Sequence, residues 1–207
     1  MVIGICGGSG SGKTTLLRRL SSYFADYKPS VFSMDNYYKP INQQFVDINS
    51  QVNFDLPSAL NEDQLIEDLI SLLDGNPIEV KEYHFNAPPD KHVLITINPS
   101  EIIIVEGLFS LHYPAVRERI DFSVFIDVEL DVQLDRRLYR DQETRGYSHE
   151  AIMYQWKNHV VPCYENYLRP YQARVNFQFR NDTNADHDFE LLVKQIEQRL
   201  KNSASLS

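Results

Sequence analysis

The sequence predicts a doubly wound α/β domain on a mainly parallel five-stranded sheet, and three observations carry that expectation. A short apolar run, Val2-Ile3-Gly4-Ile5-Cys6, leads directly into a glycine-rich turn, Gly7-Gly8-Ser9-Gly10-Ser11-Gly12-Lys13-Thr14-Thr15. Ile102-Ile103-Ile104-Val105 is apolar at every position, as expected of a parallel strand covered on both faces. Strand-like and helix-like segments then alternate along the chain, which argues for parallel strands with helical crossovers. With 207 residues, 43% of them apolar and 24% charged, the chain has the size and make-up of one substantial globular domain.

The first element is the most informative. Gly7, Gly12, Lys13 and Thr14 fit the phosphate-binding pattern G-x-x-x-x-G-K-[ST]. Glycines let successive backbone N–H groups wrap a polyphosphate without Cβ clashes, and the following helix directs its positive dipole end at the same phosphates. The nucleotide-binding set is therefore Gly7, Gly8, Ser9, Gly10, Ser11, Gly12, Lys13, Thr14 and Thr15. Lys13 is expected on the β- and γ-phosphates of a nucleoside triphosphate and the Thr14 hydroxyl on Mg²⁺. An ordinary Gly/Ser turn does not account for the context: a buried-type strand precedes it, and Leu16, Leu17, Leu20 and Phe24 follow at helical spacing.

Val31 to Met34 reads as the second strand, ending at Asp35. Residues 41–57 show no clear period and read as a long loop. Asn61-Glu62-Asp63 opens a helix with Leu65, Ile66, Leu69, Ile70, Leu72 and Leu73 on its apolar side, stopped by Gly75. Ile78 to Phe85 and His92 to Ile97 read as a hairpin insertion, about residues 77–98. Phe122 to Asp127 is a further strand, followed by a charged helix from Val132 to Arg145. The next helix begins at Ser148 and carries Ile152, Trp156, Val160, Cys163 and Tyr167; Pro162 is expected to kink or break it. Val175 to Phe179 reads as the last strand and residues 186–200 as a closing helix. The domain spans residues 1–201, with 202–207 expected as a disordered tail.

A formal charge of −9 argues against a nucleic-acid polymer as partner, because such binding needs a broad basic surface. A small anionic ligand needs only a local positive cluster. Two cysteines, Cys6 and Cys163, imply neither a disulfide framework nor a metal site. No apolar run approaches the ~20 residues of a bilayer span, and the chain opens on a core strand rather than a leader. The expectation is a cytoplasmic protein without membrane contact. The oligomeric state, a homo-oligomer included, stays open.

Ligands of open parallel sheets sit beyond the carboxyl ends of the strands. Three such ends carry distinctive groups here: the phosphate loop, Asp35 and Glu106. Asp35 could simply open a turn; opposite a phosphate loop it reads as a general base for a hydroxyl. Glu106, after four apolar residues, suits magnesium through water or contact with the substrate. Arg136, Arg137, Arg140 and Arg145 lie on one helix. With Asp135, Asp141 and Glu143 they could form a salt-bridged surface. Near a triphosphate, guanidinium groups neutralise charge on the transferred group. Tyr37, Tyr38, Tyr83 and Phe85 are stacking candidates on loops and hairpins.

In order, Gly-Gly-Ser-Gly-Ser-Gly-Lys-Thr (7–14), Asp-Asn-Tyr-Tyr-Lys (35–39), Asn-Phe-Asp-Leu-Pro-Ser-Ala (53–59), Tyr-His-Phe (83–85), Val-Glu-Gly (105–107) and Arg-Arg-Leu-Tyr-Arg-Asp (136–141) with Arg145-Gly146 form a set. From Gly4 to about Arg180 this set resembles the uridine kinase family, within the group that includes phosphoribulokinase and pantothenate kinase. The resemblance implies a P-loop kinase fold, ATP and Mg²⁺, a mobile lid at about residues 131–147, and catalytic roles for Asp35, Lys13 and Arg140. Asp35 would take the proton of the attacking hydroxyl, and Arg140 would lie on the lid near the ATP phosphates. It also implies substrate contacts from Tyr38, Asp55, Tyr83, Phe85, Arg137 and Gln155, with Asp55 on ribose hydroxyls, and metal contacts from Thr14 and Glu106.

The chain departs from the family pattern at Leu56, where His is usual, at Pro88 and Asp90, where His and Arg are usual, and at Tyr147, where Arg is frequent. The expected function is ATP-dependent phosphorylation of a hydroxyl on a small metabolite, the 5′-hydroxyl of a uridine- or cytidine-like nucleoside being the leading acceptor. Another small alcohol or sugar-like acceptor is the first alternative. A nucleotide-dependent switch is the second; it finds no N-K-x-D guanine motif in the sequence. A catalytically weakened binding protein is the third, opposed by the intact Asp35, Lys13 and Thr14.

Overall fold

The computed structural model describes residues 1–83 and 93–204. Its centre is a five-stranded sheet in the order β2-β7-β1-β8-β9, formed by β1 (Val2–Gly7), β2 (Ser30–Ser33), β7 (Ile103–Glu106), β8 (Phe122–Asp127) and β9 (Phe177–Arg180). Every neighbouring pair is parallel. β1 and β7 are buried at every position, which is why both read as unbroken apolar runs rather than as alternating ones.

The period-two alternation of side chains divides the core between the two faces. Ile3 and Ile5 of β1, with Ile104 of β7, pack against Leu16, Leu17 and Leu20 of α1 (Lys13–Tyr23) and against Leu192, Val193 and Ile196 of the last helix. Val2, Cys6, Ile103 and Val105 face the other way, onto Leu65, Leu69 and Leu72 of α2 (Glu62–Leu73) and onto Cys163, Tyr164 and Leu168. Helices on both faces make the architecture doubly wound. The register aligns Ser33 with Glu106 and Ile5 with Glu106. The strands thus end together, and the loops that leave them share one rim.

Four segments differ from expectation. Residues 41–57 are not structureless: β3 (Phe45–Val46) and β4 (Val52–Asn53) pair antiparallel. The turn between them is made by Asp47, whose Oδ1 accepts from the Asn49 and Gln51 amides at 2.8 and 2.9 Å, an Asx arrangement that apolar periodicity does not reveal. The hairpin insertion is present but short, β5 (Ile78–Lys81) against β6 (Leu94–Ile97). Phe85, Pro88 and Asp90 lie outside the described residues.

Pro162 does not end its helical stretch, but the winding on either side of it leaves the α form. The chain continues from α3 (Pro114–Arg117) and α4 (Leu130–Arg145) into α5 (His149–Gln155), a π-wound stretch Trp156–Val160, α6 (Val161–Cys163), a second π-wound stretch Tyr164–Leu168, and α7 (Arg169–Gln172). A proline inside an α-helix loses one bond and presses on the carbonyl four residues back. The wider π turn, in which the Val161 amide bonds the Trp156 carbonyl, relieves that crowding. The closing helix, α8, runs from Ala185 to Ala204, four residues beyond its predicted end.

Candidate active site

The phosphate loop is shaped by its glycines at two points. Gly10 and Gly12 have φ of 82° and 99°, the left-handed region that side-chain-bearing residues rarely enter. Gly10 also lies under α4, where a Cβ would fall 2.5 Å from the Gln133 carbonyl oxygen. Gly12 caps α1, so Lys13 starts the helix. The Lys13 Nζ donates to the Gly8 carbonyl at 3.1 Å, folded back over the loop. Arg136 ties the loop to α4 from outside, donating to the Asn181 carbonyl at 2.8 Å and reaching the Gly10 and Ser11 carbonyls at 3.5 and 3.4 Å.

Beyond the strand ends lies an open cavity of about 870 Å³ counted out to its mouth, open solvent included. Ser9, Gly10, Lys13, Thr14, Asp35, Tyr38, Asp55, Tyr83, Glu106, Arg137, Arg140 and Gln155 all line it, so residues spread from 9 to 155 meet in one place. Gly7, Gly8, Ser11 and Gly12 form the loop's frame without lining the cavity, and Thr15 is exposed on α1. Tyr37 does not join: its hydroxyl donates to Asp68 at 2.9 Å and its ring stacks on Phe32, centroids 5.3 Å apart. It is a packing residue. Leu108, Arg145, Tyr147 and His159 line the cavity as well. Of the departures from the resemblance, Tyr147 thus sits in the cavity wall.

Two carboxylates dominate the floor. Asp35 lies on the turn that follows β2; burial raises its pKa, against the charges of Lys13, Arg145 and Arg140. Glu106 ends β7, is 4% exposed, and accepts a long bond from Ser33 at 3.5 Å. Burial, then the charge of Asp35, push its carboxyl up to about 7. A carboxylate whose pKa is raised in this way is a stronger base than one in water. Asp55 is buried beside Arg137, and burial raises it against that guanidinium.

Above the floor, Asp141 gathers the arginines. It is fully buried, with Arg137 Nε at 3.3 Å, Arg140 Nε at 2.8 Å and Arg145 at 3.2 Å. One carboxylate among three guanidiniums leaves an excess of positive charge facing the cavity. Arg137 also donates to Ser9 Oγ and to the Gln155 side chain, each at 2.9 Å, and so joins the phosphate loop to α5. The salt-bridged surface helix is therefore not what forms. Asp141 was not expected at the site, although its spacing from Arg137 and Arg145, four positions each way, already puts them on one helix face.

Another wall of the cavity is aromatic. The Tyr38 ring lies 5.2 Å from that of Tyr83 and 5.9 Å from that of Phe54, and Asn36 Oδ1 accepts from the Tyr83 amide at 2.9 Å. The whole cavity can therefore take a polyphosphate at one end and a ring with hydroxyls at the other. Hard oxygen donors from Thr14 and Glu106 fit a magnesium ion.

Known proteins point the same way. The phosphoribulokinase/uridine kinase family pattern matches residues 2–187. The chain is 34% identical over 169 residues to a uridine kinase of Staphylococcus epidermidis, covering 82% of each. It is similar in structure to a possible uridine kinase from Bacillus stearothermophilus, with a TM-score of 0.62 and 21% identity over 86% of this chain and 88% of that one. Phosphoribulokinase from Rhodobacter spheroides matches with a TM-score of 0.64 and 13% identity, over 86% and 69%; at such identities these two likenesses speak for the fold. A nucleotide-binding loop, the sheet that carries it and the matched length together make this protein a phosphotransferase with a hydroxyl acceptor, and the chain belongs to the phosphoribulokinase/uridine kinase family.

Proposed function

We propose that the protein transfers the terminal phosphoryl group of ATP to the 5′-hydroxyl of a ribonucleoside of the uridine or cytidine kind. The observation that carries this reading is the meeting of Asp35 and Glu106 with Lys13 and the Asp141-held arginines around one cavity. The Asp35 carboxylate, raised by burial, accepts the proton of the attacking hydroxyl. Lys13 and Arg140 face the charge that accumulates on the transferred group. Thr14 and Glu106 would hold Mg²⁺, whose charge would offset that of the phosphates. Asp55 and Arg137 engage hydroxyls of the acceptor, and Tyr38 and Tyr83 give its ring an aromatic wall. Arg140 and Arg145 belong to a helical lid at about residues 131–147 that shields the reacting groups from water. Cytoplasmic residence accords with two free, buried cysteines, and no helix among the described residues is long and apolar enough to cross a membrane.

Tyr147 in the cavity wall, where a basic residue is frequent in the family, favours a second reading: a kinase for another sugar-like alcohol. The test is a product-identified screen of uridine, cytidine, adenosine and free polyols with ATP. Nucleoside 5′-monophosphate as the main product is the expected result. A phosphorylated polyol with no nucleoside product would overturn the nucleoside reading in favour of the second.

A further inference from the structure

His159 sits in the cavity wall yet belongs to none of the motifs that carry the resemblance. It is 3% exposed and lies on the π-wound stretch Trp156–Val160; such wide turns re-aim side chains and recur at functional sites. Its Nε2 lies 2.8 Å from Oδ2 of Asp47, in the turn between β3 and β4. The same oxygen accepts from the Tyr154 hydroxyl at 2.7 Å, whose oxygen in turn accepts from Asn49 at 2.7 Å. Oδ1 accepts the Asn49 and Gln51 amides. Desolvation opposes ionisation of Asp47, but these donors outweigh it and hold the carboxyl well below its usual range.

An ionised carboxylate against Nε2 requires a proton on Nε2, and in the neutral ring the lone pair then sits on Nδ1. No described residue bonds Nδ1. In this buried ring of the cavity wall, Nε2 is committed to Asp47, and Nδ1 is the ring nitrogen without a partner among the described residues. Asp55, in the same wall, is also an acceptor group when ionised.

We propose that His159 is a specificity-determining residue whose Nδ1 accepts a hydrogen bond from a hydroxyl or N–H of the phosphoryl acceptor, with Asp47 as the positioning residue that fixes the tautomer. This rests on the reading of the cavity as an acceptor site. It narrows the acceptor to a neutral ring that presents two or more donors, because Asp55 and His159 both accept there and an anionic acceptor would meet Asp55 unfavourably.

Two substitutions separate this from a structural role. His159→Gln keeps a donor near the Nε2 position, and so the bond to Asp47, but loses the Nδ1 acceptor. His159→Asn keeps an acceptor near Nδ1 and loses the bond to Asp47. If His159 reads the acceptor, His159→Gln raises the acceptor KM about tenfold, the worth of one hydrogen bond. Its kcat and ATP KM then stay within about threefold, and its melting temperature stays near that of wild type. His159→Asn raises KM less while melting lower. A structural role gives the reverse order, and an acceptor KM for His159→Gln within about twofold of wild type overturns the proposal.

The assays use uridine first, then ribose and glycerol. Absence of uridine monophosphate with turnover of a polyol would sink the nucleoside reading alone, and the variants are then compared on that polyol. Should His159→Gln not fold, ¹⁵N-histidine spectra of the wild type decide. Saturating uridine or ribose shifts the Nδ1 resonance of His159 if the proposal holds; a resonance that neither ligand moves overturns it.

Discussion

The two ends of the cavity are made in different ways. The phosphate end is local: from β1 through the loop to Lys13 and Thr14 it is one stretch of chain. Its shape follows from glycine conformations and a helix start, and α4 closes on it through Arg136 and Arg137. The acceptor end is assembled at long range. Asp47 meets Tyr154 and His159, Asn36 holds the Tyr83 amide, and Gln155 meets Arg137, over separations of 107, 112, 47 and 18 residues. The lesson is that the first end can be specified by a motif, whereas the second exists only once the sheet has brought its segments together.

Perturbations should divide along that line. The largest effect is expected at Asp35, where the two ends touch. Asp35→Asn should lower kcat by about 10²–10⁴, the usual worth of a positioned general base, while ATP binding measured by calorimetry stays intact. Collapse of ATP affinity with unchanged residual kcat would instead make Asp35 part of the phosphate end.

Next comes Lys13→Ala, with an expected loss of about 10²–10³ in turnover from removing one preorganised donor. Circular dichroism should show the fold retained. A folded variant within threefold of wild type would falsify a catalytic role for the phosphate loop.

The acceptor end should show a smaller and more selective deficit. Tyr147 stands in the cavity wall where the resemblance would place a basic group, and Pro88 and Asp90 depart from the same pattern in the sequence. A hydrogen bond to a charged group is worth about 1.5–3 kcal/mol, so uridine and cytidine should lose roughly ten- to a hundredfold in kcat/KM. Steady-state kinetics at saturating ATP measure this. A value near about 10⁶ M⁻¹s⁻¹, well inside the ordinary enzyme range, would show that other residues read the base fully.

The smallest effect is on stability. The folded pKa of Glu106, about 7, lies above its ordinary 4.5, so the folded protein keeps a proton that the unfolded chain releases. Stability of the ligand-free protein therefore falls as the pH rises from about 4.5 to about 7. Asp35, also raised, contributes with the same sign. Glu106→Gln should melt with wild type at pH 4.5 and be more stable at pH 7.5, by up to about 3 kcal/mol. Thermal melts at the two pH values check the sign, and a variant less stable at pH 7.5 would mean that Lys13 stabilises the ionised carboxylate more than burial penalises it.

Much of this was legible in the chain before any coordinate. The unbroken run Ile102 to Val105 read as a strand covered on both faces, and the glycine spacing before Lys13 defined its own turn, because both properties are set by residues adjacent in sequence. That Asp35 and Glu106 would lie close together could be read because a doubly wound sheet brings its strand ends to one rim. What adjacent residues could not decide was which distant groups meet. The Asp47 turn lies in a stretch without period, and its partner His159 is 112 positions away. Pro162 predicts a break by its local chemistry, yet packing of Cys163 and Leu168 into the core holds the helix together and π turns absorb the crowding. Asp141 has the spacing of a surface ion pair, and only its complete burial among three arginines makes it the organiser of the site. Local backbone geometry is a property of neighbouring residues, whereas burial and long-range pairing are created by the fold; the phosphate end therefore followed from sequence, and the acceptor end from tertiary structure.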